Sequence, residues 1–523
     1  MGDTKAVGMT DLDNDDDDQG GGSSSRVTST IRAHIGEDLA DFVLSSLYIV
    51  RSDNSSSVRQ IALQVWKSIV SNTPKTLREI MPSLVDLLIR KLSSQSNDQQ
   101  VVAGRSLGDL VKKLGDHVLP LVIPYLQRGL QSDEAELRQG VCLGLAEILR
   151  AASQKQIETY VDTLVPALQE ALCDDSEHVR SLASQAFHAL MKAIGGHAIE
   201  TVVPILLTQI CENFDESDPA KEISSLRGLR SIVNLKPRDL LEYLLPILTK
   251  HPIQPASSHI LGVVCQSASA SIHYHFSTLI PLLIQELVQV AGDESKRSAF
   301  ISLRASVALI VGSTSSSGLN FLVSELGKQI EHENNVLCRM WGCLIAADFF
   351  RNCSADYSEY IPVLLKYLLS RSADLEVEVL EGVLESMTAL TSVVSVESLA
   401  SHMDFIRSCL SLTASDAKHR PGRNDLFSAD GTVLLPLFRL PKALEPFLPI
   451  YIHCLMNGAP ETREVAADGI GELISMTDPA HLKPYLIKTT GPLIRVVGDR
   501  YPSSVKYAIL QVDFSKLSCL ILS

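Results

Sequence analysis

The stretch YVDTLVPALQEALCDDSEHVRSLASQAFHALMKAIGG, Tyr160 to Gly196, constrains the chain most, because it spells two helices that cannot stand alone. Val161, Leu164, Val165, Leu168, Ala171 and Leu172 fall at three- and four-residue steps and make one apolar stripe. Pro166 lies inside that stripe, where a missing N–H and a crowded turn predict a kink. Asp174, Asp175 and Ser176 supply turn and N-cap chemistry. A second stripe follows through Val179, Leu182, Ala183, Ala186, Leu190 and Ile194, and Gly195 and Gly196 stop it. Each stripe needs a neighbour of the same kind to cover it.

The chain supplies those neighbours by repetition. Pro82, Pro124 and Pro166 are separated by 42 residues each, Pro204 and Pro246 follow at 38 and 42, and Pro281 at 35. Pro362, Pro449 and Pro492 continue the series, with unmarked units near Phe321 and Asp404. The surrounding phrases are alike: LVPALQEAL, VVPILLTQI, LIPLLIQEL, YIPVLLKYL. A second phrase, an acidic turn followed by a basic residue, recurs as Asp53 with Arg59, Asp133 with Arg138, Asp175 with Arg180 and Asp499 with Lys506. Aspartate is suited to cap the second helix, and the basic side chain to bridge to a neighbouring turn. Two helices in about 40–47 residues is the period of HEAT or armadillo arrays. The fold expected is all-α, a HEAT-repeat α-solenoid of roughly eleven or twelve helix pairs. Hydrophobic residues make up 45% and aromatics only 5%, so Leu, Ile, Val and Ala carry the burial, as suits helix-on-helix packing.

Four segments are expected. Residues 1–36 form an acidic Gly/Ser-rich tail with too little apolar surface to offset ordering entropy. The array runs over 37–414 and is interrupted at 415–431 by SDAKHRPGRNDLFSADG, a stripe-free basic loop. Lys418, Arg420 and Arg423 make that loop a candidate partner contact. Residues 432–523 resume the repeats and end in VDFSKLSCLILS, which breaks the pattern like a truncated or alternative terminus.

Composition excludes several function classes. A net charge of −15 disfavours nonspecific nucleic-acid binding. The start lacks an apolar signal region, and no run reaches the ~18 apolar residues of a membrane span. The ten scattered cysteines read as reduced core thiols, and the chain is expected in the cytosol. Asp11, Asp13 and Asp15 begin like a calcium loop, but Asp16 and Gly22 stand where glycine and glutamate are required. No phosphate loop or nucleophile elbow is present. His273 and His275 lack further ligands at diagnostic spacing. The carboxylates recur with the structural period, as scaffold features do. No enzyme activity, cofactor or metal is expected.

Particular phrases go beyond a generic HEAT array. LSSLYIVRSDNSSSVRQIALQVWKSIVSNTPKTLREIMPSL, AGRSLGDLVKKLGDHVLPLVIPYL, LRQGVCLGLAEIL and TGPLIRVVGDRYPSSVK resemble the large HEAT-repeat translational activator of the general control kinase. That kinase phosphorylates the alpha subunit of initiation factor two. The resemblance covers roughly residues 39–510 and implies a part toward the C-terminal half of a much longer chain, without the family's elongation-factor-like region. It implies a cytosolic, noncatalytic scaffold that engages ribosomes and binds the kinase's N-terminal domain in amino-acid starvation. Residues from about Asp430 resemble the start of the kinase-binding segment. An arginine matters there in the family, and Arg495 or Arg500 in GPLIRVVGDR occupies its place. Two other adaptor classes share the architecture. An importin-like carrier would bind a small GTPase, and a phosphatase scaffold would bind a phosphatase subunit.

Overall fold

The computed structural model describes residues 32–219, 221–268, 270–418, 434–498 and 503–510. Most of the expected tail lies outside them. Residues 32–35, at its inner edge, form a helical turn, and Arg32 pairs with Asp41 at 2.9 Å and Glu79 at 3.1 Å.

Two compact units divide the chain. In the first, Met1–Asn213 with Glu222–Lys236, five successive helix pairs follow one another. The repeat read first from sequence is the pair Gln154–Leu172 and Glu177–Ile194. Leu164, Val165, Leu168, Ala171 and Leu172 are buried on one side of its turn, and Val179, Ala183, Ala186 and Leu190 on the other. Val161, Leu182 and Ile194 of the expected stripes are only half-buried. Gly195 ends the second helix with φ of 65°, which suits a residue without Cβ. Ser153 and Gln156 close a reciprocal capping box at the start of the pair.

In the second unit, Phe214–Lys221 with Pro237–Ser523, six more pairs are described, from Pro237–Leu248 with Pro255–Ser267 to Leu486–Gly498 with Ser503–Leu510. The helix Met403–Lys418 stands between the fourth and fifth pairs. Second helices stack on second helices through Pro255–Ser267, Arg297–Gly312, Val336–Asn352 and Val377–Val393. First helices stack through Phe276–Val290, Leu319–Ile330 and Ile361–Ser370. Leu283, Val307, Leu326, Ile345, Leu365 and Val383 are sealed between these layers.

The prolines act differently from expectation. Pro82, Pro362 and Pro449 occupy the first turn of their helices, where the missing N–H costs nothing. Pro124 and Pro166 lie inside continuous helix, and Pro166 is exposed. The break in Asn97–Leu130 falls at Leu114, with φ −137° and ψ 32°, and separates one repeat's second helix from the next repeat's first. Of the loop expected at 415–431, only the first four residues lie among the described ones, and they are helical. Ser415–Lys418 continue the helix Met403–Lys418 because Ala414 and Ala417 extend its buried stripe.

Candidate partner-binding surface

The acidic turns are structural, and their wiring is specific. Arg138 donates from Nη1 to the carbonyls of Ser132 and Asp133 in its own turn. Its Nε and Nη2 reach the two carboxylate oxygens of Asp174 in the next turn, at 2.6 and 3.1 Å. Asp174 in turn accepts from the Ser176 amide at 2.8 Å, which closes the turn just before the second helix, while the Ser176 side chain makes no capping hydrogen bond. Arg180 repeats the inward half on the carbonyls of Asp174 and Asp175. Arg339 builds the same rung with Asp374, at 2.9 and 3.2 Å, and both groups are buried. Sequence reading missed that rung because its turn reads HENNVLCR, with Asn335 in place of aspartate. Asn335 caps the helix by accepting from the Leu337 and Cys338 amides.

Several of the thiols are structural too. Cys142, Cys265 and Cys343 are sealed in the core, and burial pushes the Cys343 thiol up to about 12. Cys338 and Cys353 are half-buried and unbridged. Among the described residues, no group of three His, Cys, Asp or Glu is gathered as a metal site would need. No single helix among them is long and apolar enough to cross a membrane.

With turns and thiols committed to structure, the expected contact residues remain. Arg495 lies on the helix Leu486–Gly498 with its side chain exposed. Leu493, Val496 and Thr489 bury one face of that helix, which packs against Leu448–Asn457 and Ser503–Leu510. The opposite face carries Ile487 and Ile494, which are 87% and 67% exposed. Gly491 lies between them over open space. Lys483, Lys488 and Arg495 border the two isoleucines, and the helix itself has no carboxylate. The result is a basic, apolar surface in a chain of net charge −15. The isoleucines went unremarked in sequence. Their signal was a helix apolar on both faces, where one stripe suffices for the core. Lys418 is exposed as the last residue of Met403–Lys418. Arg500, Arg420 and Arg423 lie outside the described residues.

Comparison with known proteins agrees with this helix-pair array. A family model described as stalled ribosome sensor GCN1-like HEAT repeats matches residues 240–442. Residues 240–442 carry GCN1-like HEAT repeats. The chain is 32% identical over 480 residues to the mouse stalled ribosome sensor GCN1, covering 91% of this chain. It is 31% identical over 477 residues to the eIF-2-alpha kinase activator GCN1 of Saccharomyces cerevisiae. It spans 17% of the length of each of these relatives. Likeness to importin subunit beta-1 of Arabidopsis thaliana is weaker, 23% over 215 residues and 36% of this chain, which places the importin reading second. A model of the EF3 N-terminal HEAT repeat also matches, at residues 122–251. Sequence reading had seen no elongation-factor-like region; the EF3 likeness falls on the repeats themselves.

Proposed function

We propose that this GCN1-like array is part of a noncatalytic cytosolic scaffold that brings the eIF-2-alpha kinase to the ribosome, with Leu486–Gly498 as its kinase contact. The observation that carries the reading is the face of Ile487, Ile494 and Arg495, exposed among the described residues, within the segment resembling the kinase-binding part of the family. Arginine beside aliphatic side chains suits a protein interface, since guanidinium pairs with carboxylate while its neighbours exclude water. The kinase's N-terminal domain is the partner expected there. The mechanism is recruitment: a scaffold held at the ribosome raises the local concentration of the kinase without chemistry of its own.

The test is affinity capture of the purified N-terminal domain of the kinase by the full chain. Arg495→Ala is expected to weaken capture about tenfold, equivalent to ~1.4 kcal/mol. Ile487→Ser with Ile494→Ser should weaken it at least as much. Unchanged capture by the combined triple variant, with its helical circular dichroism intact, would remove this face from consideration.

A further inference from the structure

A second surface, unrelated to the proposed kinase contact, has no assigned role. Residues of the helices Pro237–Leu248 and Phe276–Val290 line a cleft of about 360 Å³. Leu241, Leu245 and Pro246 line one wall, and Leu279 and Leu282 the other. The lining positions recur every three or four residues on both helices, so the cleft follows the helix axes. Eight residues at ~1.5 Å each give it a length of about 12 Å, the span of roughly four extended residues.

Aromatic rings stand at the end where both helices begin. Tyr274 and Phe321 are 60% and 45% exposed and meet edge to face with centroids 6.0 Å apart. Beneath them the buried His273 ring stacks on Phe321 at 5.0 Å and leans on Tyr274 at 4.2 Å, which fixes the orientation of both. Arg238 closes the group, its guanidinium 5.8 Å from the Tyr274 centroid. Arg138, Arg304, Arg339 and Arg407 each hold a carboxylate. Among the described residues Arg238 holds none, although it is exposed and keeps a charge-bearing fork directed at an aromatic face.

We propose that this cleft docks a short extended segment of a partner protein carrying a carboxylate beside an aromatic residue, with an aliphatic residue following. The carboxylate pairs with the Arg238 fork, the aromatic ring packs on Tyr274 and Phe321, and the aliphatic side chain enters the leucine-lined cleft. Exposed Glu242 on the cleft wall repels a second carboxylate and so fixes the direction of the segment. Asp239 and Glu242, with the chain's charge of −15, also oppose a phosphate backbone, which favours peptide over single-stranded RNA.

Random dodecapeptides displayed on phage, selected on the full chain, test this directly. Recovered peptides are expected to share a carboxylate within two positions of an aromatic residue. Synthesised with a fluorescent label, they should lose at least tenfold in affinity, by anisotropy, for Tyr274→Ala and for Arg238→Glu. Both positions are exposed, and unchanged melting of each variant separates lost docking from lost folding. Arg495→Ala should bind the same peptides as the unaltered chain, which separates this surface from the kinase contact. The proposal is overturned if no peptide is enriched, if enriched peptides are basic, or if they bind both variants within twofold. It is equally overturned by polyuridylate binding, or by dimerisation in sedimentation, that is lost in Tyr274→Ala.

Discussion

Gly140 shows how close two helices of this array approach. A Cβ built there would lie 1.9 Å from the carbonyl oxygen of Leu92 and 2.9 Å from its carbon. Gly228 stands in the same relation to Leu172, at 2.6 Å. Each is the place where a second helix crosses the last turn of an earlier first helix. The obstructing atoms are backbone, which cannot rotate away as a side chain could. Gly140→Ala should therefore cost at least the ~1–3 kcal/mol of ordinary overpacking, measured by urea denaturation. Gly491 is the opposite case: it is helical, with nothing within 4 Å of a built Cβ. Gly491→Ala should stabilise by about 0.5–1 kcal/mol, through a smaller loss of backbone entropy. The sequence held no means of separating these glycines. Both sit in apolar helical stretches, and the difference is what lies across the interface. Arg495 was legible for another reason: it stands inside a phrase whose wording matches a family.

At the scale of the element, the repeated acidic turn was readable, but its pairing was not. The period places an aspartate and a basic residue in each turn and leads one to expect the basic residue to bridge to a neighbouring turn, but it does not say which aspartate receives it. The structure uses Asp174 for Arg138 and gives Asp175 to Arg227, at 2.7 Å. Adjacent aspartates point to different sides of the turn, and only the packed neighbour decides which one faces it. The Arg339–Asp374 rung is the buried version, and removing one partner leaves the other charge uncompensated. Arg339→Ala is expected to cost about 3–5 kcal/mol. Replacing both, Arg339→Met with Asp374→Leu, should cost less than either single loss, and a double-mutant cycle by urea denaturation measures the difference. The exposed pair Arg90 and Asp86 supplies the contrast, since its removal should change stability by no more than about 0.5 kcal/mol. A larger effect there, or an additive cycle at Arg339 and Asp374, would show that burial does not set the strength of these rungs.

For the whole molecule, the period of the prolines was enough to expect eleven or twelve pairs, and eleven are described, beside the unpaired Met403–Lys418 and three short helices. Period is legible because each repeat solves the same burial problem with the same residue types. The division at Leu114 was hidden because no proline or glycine pair marks it, and Gly115 alone does not announce a break. An array in which each pair touches mainly its neighbours should unfold in segments rather than all at once. Buried thiols report this without any added probe. Cys142 lies in the first unit and Cys343 in the second, and both are fully buried. Pulsed alkylation with N-ethylmaleimide across a urea series, read by mass spectrometry, gives each thiol its own midpoint. Gly140→Ala weakens the packing around Cys142, so its midpoint should fall by about 1 M urea, for ~2 kcal/mol over a slope of ~2 kcal/mol per M. The midpoint of Cys343 should stay within experimental error of the unaltered chain. Equal midpoints that fall together in Gly140→Ala would mean that the repeats are locked into one cooperative body, and nearest-neighbour coupling would be too weak a description of what holds them.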